Sequence, residues 1–459
     1  MEKSMKVIIS FAALLLAVLS QTIFAAQSGQ SSFKKGEVAV YASPAELKGY
    51  KIKKYLPHAG ISVIELLPGK EWGLVQKLRL RGKRAGLNLI ATKSASDPLY
   101  AFQWHFNNVQ AEDAWSLSTG SGVTVAVLDT GLAPGGSDGV KLCEPNAGFD
   151  IVNNDSDPID GDGHGTHVSG TIAQNTNNEV GVAGLAYDAC VMPVKVLDDT
   201  GSGDFADIAD GIYYAVGKGA QVINMSLGTN ARFGIKADPI MDSALDYAYG
   251  RGVTVVAAAG NDGHRKNVSY PAIYKTTIGV GATDYRNQLT RYSNKGVGLD
   301  LVAPGGDLQR DDNRDGYGDG VLQEMFNVNG WAYFFLHGTS MASPHVAAAA
   351  ALLISKNGTT FTPDQIRAAL TGYAKDLGKA GYDKEYGHGL LQVYNSLTAT
   401  GGVTPSEPPT SGDADGDGFT VADGDCDDND ASIYPGANDT RGKKGRDGID
   451  NDCNGIVDG

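Results

Sequence analysis

Positive charge is scarce in this chain: 38 Lys and Arg stand against 53 Asp and Glu, a formal net charge of −15 over 459 residues. That balance argues against nucleic acid as a partner, since a phosphate backbone is held by an excess of Lys and Arg. The deficit is concentrated at one end, where residues 413–459 hold thirteen Asp against four Lys or Arg. Membrane-length apolar runs are lacking as well: the run at 7–19 falls short of the roughly 20 residues a spanning helix needs. Lys3 and Lys6 precede it and Ala25 and Ala26 follow, the pattern of a secretory signal peptide over 1–26. Export would place the few cysteines in an oxidising compartment. There are four, and the sequence favours Cys143 with Cys190 and Cys426 with Cys453, each pair lying within one region; buried free thiols are the alternative for the first pair.

What is abundant is apolar sequence, 42% of the chain, enough for a large core. Residues 27–96 carry two β-like runs, 38–41 and 61–67, and a basic segment at 77–86, which together suggest a small α+β domain. From 123 onward, continuous apolar runs at 123–128, 191–197, 222–225, 253–258 and 278–280 alternate with helical stretches such as 205–218 and 239–250. Unbroken apolar strands belong to parallel sheets covered on both faces, and their alternation with helices predicts a doubly wound α/β fold. Sites in such folds form beyond the carboxyl ends of strands, where Asp129 falls. The stretch at 337–354, HGTSMASPHVAAAAALLI, predicts a helix buried on every side, opened by Gly338, Thr339 and Ser340 with Pro344 in its first turns. Its free N–H groups would face the Ser340 hydroxyl.

Two further stretches give that serine company. In GDGHGTHVSGTIA, 161–173, His164 stands between Gly163 and Gly165 at the start of a helix, whereas His167 should be packed inside it. In AAAGNDG, 257–263, Asn261 sits in a Gly-rich turn after a strand. Acyl transfer to serine needs a hydroxyl, an imidazole, a carboxylate to orient the imidazole, and donors for the oxyanion. Asp129, His164, Ser340 and Asn261 supply them. The motifs VAVLDTG, DGHGTHVSGTIA, AAAGN and HGTSMASPHVA, in this order, resemble the signatures of the subtilisin-like serine proteases, and the likeness spans 97–400.

The resemblance implies that Ser340 is the nucleophile, His164 the base and then the acid, Asp129 the orienting carboxylate, and Asn261 with the Ser340 N–H the oxyanion hole. It implies a substrate held as an added strand between Ser202-Gly203 and Ser226-Leu227-Gly228. Phe205, Ile208 and Leu227 would line an upstream apolar pocket. The primary pocket would lie between Ser226–Gly228 and Ala257, Ala258, Ala259 and Gly260, floored by Ser269. No acidic side chain is evident there, so large apolar or aromatic residues are expected before the cut. Residues 27–96 would be an inhibitory, fold-assisting propeptide, removed by processing near 94–97.

Calcium is the expected cofactor, since several loops are rich in hard oxygen donors. Asp97, Asp138 and Asn178 resemble the strong calcium site of the thermitase branch of the family, and Asp150, Asn153, Asp155 and Asp157 its second site, with Asn153 where a carboxylate is usual. Between 311 and 320, DDNRDGYGDG places Asp311, Asn313 and Asp315 at alternate positions before Gly316, like the start of an EF-hand loop. Leu322 stands at position twelve in place of the bidentate Glu, and Glu324 comes two residues late. After a Pro/Ser/Gly linker at 401–412, the Asp-rich segment 413–459, beginning with Asp413, Asp415 and Asp417, resembles a metal-binding repeat found at the ends of some exported bacterial proteins.

The whole therefore reads as an exported serine endopeptidase made with a signal peptide and propeptide and ordered by calcium. It is expected to act as a monomer on polypeptides, with its own propeptide as an intramolecular inhibitor. The rival reading is an inactive, calcium-dependent binding or surface protein on the same fold, which function at the site and not fold would separate.

Overall fold

The computed structural model describes residues 5–6, 33–89, 95–143 and 148–399. Residues 1–398 form one compact unit and 399–459 a second. The linker at 401–412, the Asp-rich segment with Asp413, Asp415 and Asp417, the Cys426–Cys453 pairing and most of the expected leader lie outside the described residues. Met5–Lys6 (β1) pairs antiparallel with Phe334 and Phe335. No described helix is long and apolar enough to cross a membrane.

The expected α+β element at the N-terminal end is a four-stranded antiparallel sheet, order β3-β4-β2-β5, from β2 (Phe33–Tyr41), β3 (Lys51–Leu56), β4 (Ile61–Glu65) and β5 (Ala85–Leu89). One helix, α1 (Glu71–Leu80), packs on it through Val75 and Leu78 against Val38, Val40 and Ile64. Much of the basic segment is the end of this helix, where Lys77 and Arg79 face the negative pole of its dipole.

Two short helices, α2 (Trp104–Asn108) and α3 (Ala111–Trp115), lead into the main sheet. Its strands are β6 (Thr124–Asp129), β7 (Phe149–Asp150), β8 (Cys190–Lys195), β9 (Val222–Met225), β10 (Thr254–Ala258), β11 (Thr277–Thr283) and β12 (Leu301–Pro304). All pair in parallel in the order β12-β11-β10-β9-β6-β8-β7. The chain builds outward from β6 on one side through β8 and on the other through β9, so the direction of winding reverses at β6. Crevices open at such reversals beyond the strand ends, and β6 ends on Asp129.

Alternate residues of β6 serve opposite faces. Val125 and Val127 pack with α4 (His164–Ala173) and α7 (Thr339–Asn357), while Ala126 and Leu128 pack with α5 (Phe205–Gly217) and α6 (Pro239–Gly250). Helix α7 is the expected buried helix: alanines 347 to 351 are all at 0% exposure. Their small side chains let the helix lie close against the sheet. Pro344 interrupts its bonding, because proline has no N–H to give the Ser340 carbonyl four residues back. The Ser226 hydroxyl donates to that carbonyl at 2.8 Å instead.

An antiparallel hairpin, β13 (Val321–Asn327) and β14 (Gly330–Leu336), leads into α7, and α8 (Pro363–Gly372) and α9 (Val393–Ala399) close the unit. Cys143 and Cys190 form a disulfide across 47 residues, Cα atoms 4.5 Å apart, so the free-thiol alternative is set aside. Closing a loop of that length removes about 4 kcal/mol of chain entropy from the unfolded state.

Candidate active site

Asp129 is fully buried at the end of β6, and its Oδ1 lies 2.7 Å from His164 Nδ1. The same oxygen accepts the Thr130 N–H at 2.8 Å, which fixes the carboxylate plane. His164 opens α4, preceded by Gly163 at φ +103°, a left-handed conformation that side chains rarely adopt. At Gly165 a Cβ would stand 2.3 Å from the Gly131 carbonyl, so helix and strand end can meet only because glycine is there.

A residue the motifs did not single out holds these parts together. Buried Asp160 accepts at Oδ1 from Thr130 Oγ1 (2.8 Å), Asp162 N (2.9 Å) and Gly163 N (2.8 Å), and at Oδ2 from Thr166 N (2.9 Å) and Oγ1 (2.7 Å). It thereby bolts the strand bearing Asp129 to the helix bearing His164. The sequence signal was its place four residues before His164, in a stretch that otherwise reads as a turn.

Burial pulls the His164 imidazole toward neutrality, but the charges of Asp129, Asp162 and Asp160 outweigh it and raise its pKa above the ordinary histidine value. His167 is buried, as expected, with Nε2 at 3.1 Å from the Val321 carbonyl and 3.2 Å from that of Phe334. Burial takes its pKa down to about 3.

Ser340 is the second residue of α7. Asn261 Oδ1 accepts from both Thr339 N and Thr339 Oγ1, each at 2.9 Å. With its oxygen so engaged, the Asn261 amide NH₂ is left to donate beside the Ser340 N–H. Ser340 Oγ donates to the Ser226 carbonyl at 3.2 Å, and among the described residues no hydrogen bond joins it to His164. Catalytic hydrogen bonds commonly tighten only once substrate is bound. Asn224 completes the framework, its Nδ2 on Ser226 Oγ at 3.0 Å and its Oδ1 accepting from Ser343 Oγ at 2.8 Å.

A cleft of about 460 Å³ opens beside His164, and its walls include Ser202, Gly203, Phe205, Ile208, Ser226, Leu227 and Gly228 together with Thr130, Asp162 and Leu197. Among the described residues Asp162 is the only acidic one in that wall. Ala257, Ala258 and Ala259 are buried at the end of β10 and do not line it. Ser269 is also buried, 3.3 Å from the position a Cβ on Gly228 would take and 2.1 Å from that of one on Gly260, so it lies between the two expected pocket walls.

The expected metal ligands are arranged unevenly. Asp97 accepts from the N–H groups of Asn177 (2.9 Å) and Asn178 (3.0 Å), while Asp138 accepts from Asn178 Nδ2 and Val182 N, each at 2.8 Å. Burial, with the nearby charges of Glu324 and Asp97, raises Asp138 to about 7 against those two hydrogen bonds. An oxygen-only donor set under excess negative charge suits calcium. In the second loop, Asp150 takes Asn153 N (2.8 Å) and Nδ2 (2.9 Å), and Asp155 Oδ1 takes Asp157 N (2.9 Å). Asn153 thus serves Asp150 as a donor. Glu324 does not belong to the 311–320 loop at all, because it accepts from Ser137 N and Oγ and from Asp138 N at 2.7, 2.8 and 3.0 Å. Among the described residues no three His, Cys, Asp or Glu side chains stand gathered as a metal cage.

The Subtilase family model matches residues 120–389, and a copper-binding MopE-type model of a metal-binding motif matches 425–459. The chain is 37% identical over 303 residues to thermitase of Thermoactinomyces vulgaris, covering 66% of this chain and 98% of that protein. It is 38% identical over 316 residues to the thermophilic serine proteinase of Bacillus sp. (strain AK1), covering 67% and 70%. Among solved structures, a protease from Pseudoalteromonas arctica PAMC 21717 aligns with a TM-score of 0.58 at 33% identity over 67% of this chain and 99% of that one. A lanthipeptide protease aligns with the same TM-score at 27% identity over 68% and 100%.

Proposed function

The chain belongs to the Subtilase family and is a serine endopeptidase, and we propose that Asp129, His164 and Ser340 perform its chemistry in a secreted, calcium-stabilised enzyme. The observation that carries the assignment is the 2.7 Å contact of His164 Nδ1 with buried Asp129, on a helix start facing the cleft. Ser340 Oγ attacks the scissile carbonyl as His164 Nε2 takes its proton. The oxyanion that forms meets the Asn261 amide and the Ser340 N–H, both already oriented. His164 then returns the proton to the leaving amine, and water releases the acyl group from Ser340 by the same steps in reverse order.

Backbone edges at 201–203 and 226–228 would bind the peptide main chain, which gives breadth of substrate. Phe205, Ile208 and Leu227 favour an apolar residue upstream. With Ser269 between its walls and the Asp262 carboxylate held off by Asn294, which bonds both, the primary pocket favours large apolar or aromatic residues. The test is casein digestion after removal of residues 1–96, with a serine-directed inhibitor as control and a peptide panel for preference. Intact casein would refute the catalytic assignment; dominant cleavage after Arg or Lys would refute the pocket.

The acid limb of the kcat/KM profile should lie above the ordinary histidine pKa, because the protonated imidazole cannot accept the serine proton and neighbouring carboxylates favour that form. Asp162→Asn removes one of those charges and should move the limb to lower pH. A limb that stays in place, in pH profiles of both proteins at constant ionic strength, would rule out Asp162 as a contributor.

The antiparallel sheet before residue 96 fits a propeptide. Calcium would sit at Asp97, Asp138 and Asn178, and at Asp150, Asp155 and the Asp157 carbonyl, holding loops that precede and follow β7. The Asp-rich tail fits a metal-binding module; its motif model is named for copper, but its donors are overwhelmingly carboxylates, which favour a hard cation such as calcium.

A further inference from the structure

The insertion between β12 and β13 buries a carboxylate oxygen that the protein leaves without a partner. Asp319 is 1% exposed; one oxygen accepts the Asp312 N–H at 2.6 Å, and the other, Oδ1, has no hydrogen bond. A buried charge left half-satisfied is costly; the backbone N–H groups of Asp312 and Asn313 favour it, but the charges of Asp312 and Asp315 oppose it. Asp312 is neutralised by Arg286 at 2.7 Å and Arg310 at 2.8 Å. Asp311, Asp315 and Asp319 have no such cation among the described residues.

The preceding loop is held by its own hydrogen bonds, although among the described residues its side chains do not yet stand gathered as a cage. Asp311 accepts from Asp315 N (3.1 Å) and Gly316 N (3.2 Å), Asn313 Oδ1 from Asp315 N (3.0 Å), and Asp315 Oδ1 from Tyr317 N (2.9 Å). Gly316 makes the sharp turn at φ +91°. Counted from Asp311, these residues occupy positions one, three, five and seven of a calcium loop, and Asp319 occupies position nine. We propose that Asp311, Asn313, Asp315, the Tyr317 carbonyl and Asp319 bind one calcium ion, with Asp319 supplying from position nine the charge that Leu322 cannot supply from position twelve.

The ion would steady more than its own loop. Asp319 exchanges main-chain bonds with Asp307 and Arg310, the adjacent Gly320 carbonyl accepts Trp104 Nε1 at 2.9 Å, and the Val321 carbonyl faces His167 on the helix of His164. Leu308 N donates to His337 Nδ1 at 3.1 Å, three residues before Ser340. The site therefore braces the segment that leads into α7 and touches α4.

This inference rests on the calcium part of the function proposed above and not on its catalysis. The test counts calcium by equilibrium dialysis on the full chain carrying Ser340→Ala, which removes self-digestion, and compares it with the same protein carrying Asp319→Asn or Asp311→Asn. Each added substitution should lower the count by one ion, and terbium emission sensitised through Tyr317 should fall in parallel. Unchanged counts and affinities in both variants overturn the site; a loss with Asp311→Asn alone overturns the role of Asp319. Asp311 is exposed, so its variant decides the existence of the site should Asp319→Asn not fold. Failure of the catalytic reading would appear separately, as unmodified chain without peptidase activity.

Discussion

Ser340→Ala is expected to lower kcat on a peptide substrate by roughly 10⁶-fold, the magnitude known for the subtilisin triad, with KM changed little. The split follows from the geometry. The proposed peptide-binding edges at 201–203 and 226–228 do not depend on the hydroxyl, so binding should persist while the proposed nucleophile is lost. Without the proposed nucleophile the variant would not remove the proposed propeptide, so the unmodified enzyme is added in trans for that step and then removed. Steady-state kinetics on a chromogenic peptide then give both constants. A fall of less than a hundredfold would mean that the nucleophile is elsewhere.

Asp129→Asn should cost roughly 10⁴-fold in kcat, the size seen when a triad aspartate becomes an amide. Asp129 Oδ1 also accepts the Thr130 N–H, so the amide oxygen keeps that place and still accepts from His164 Nδ1, but the ring loses the anion that stabilises its protonated form. The melting temperature should not fall with the rate. Asp129 is at 0% exposure and its Oδ2 has no hydrogen-bond partner, so the carboxylate is costly to keep buried and removing its charge relieves that cost. Calorimetry beside the kinetics checks the pair of outcomes: a large drop in melting temperature would assign Asp129 a structural role that the lost rate merely follows.

The parts of the fold that were legible in the sequence are those whose causes are local. The strand from 123 to 128 was expected from its apolar run and is found at Thr124–Asp129; 222–225 and 239–250 are found where expected, because β-branched runs and an Asp-Pro helix start are local signals. The helix at Thr339–Asn357 was legible from its alanines, and His164 at a helix start from the glycines flanking it. What was hidden depends on distant partners. Strand β13 buries Gln323 and Glu324, a pattern that sequence alone would assign to a surface, and it can do so because Gln323 reaches the Ala183 carbonyl at 3.2 Å and Glu324 caps the N–H groups of 137–139. Glu324 was therefore weighed against the wrong loop. Asp160 escaped for the same reason: its bond to Thr130, thirty residues earlier in the chain, has no local trace.

One missing hydrogen bond in α7 reaches beyond the helix. Because Pro344 frees the Ser340 carbonyl for the Ser226 hydroxyl, while Ser340 Oγ rests on the Ser226 carbonyl, the proposed nucleophile is moored to the strand edge along which a peptide would lie. Proposed attacker and berth are thus tied to each other twice, each residue's hydroxyl on the other's carbonyl, and a change at residue 226 would be felt at the serine without any contact with substrate.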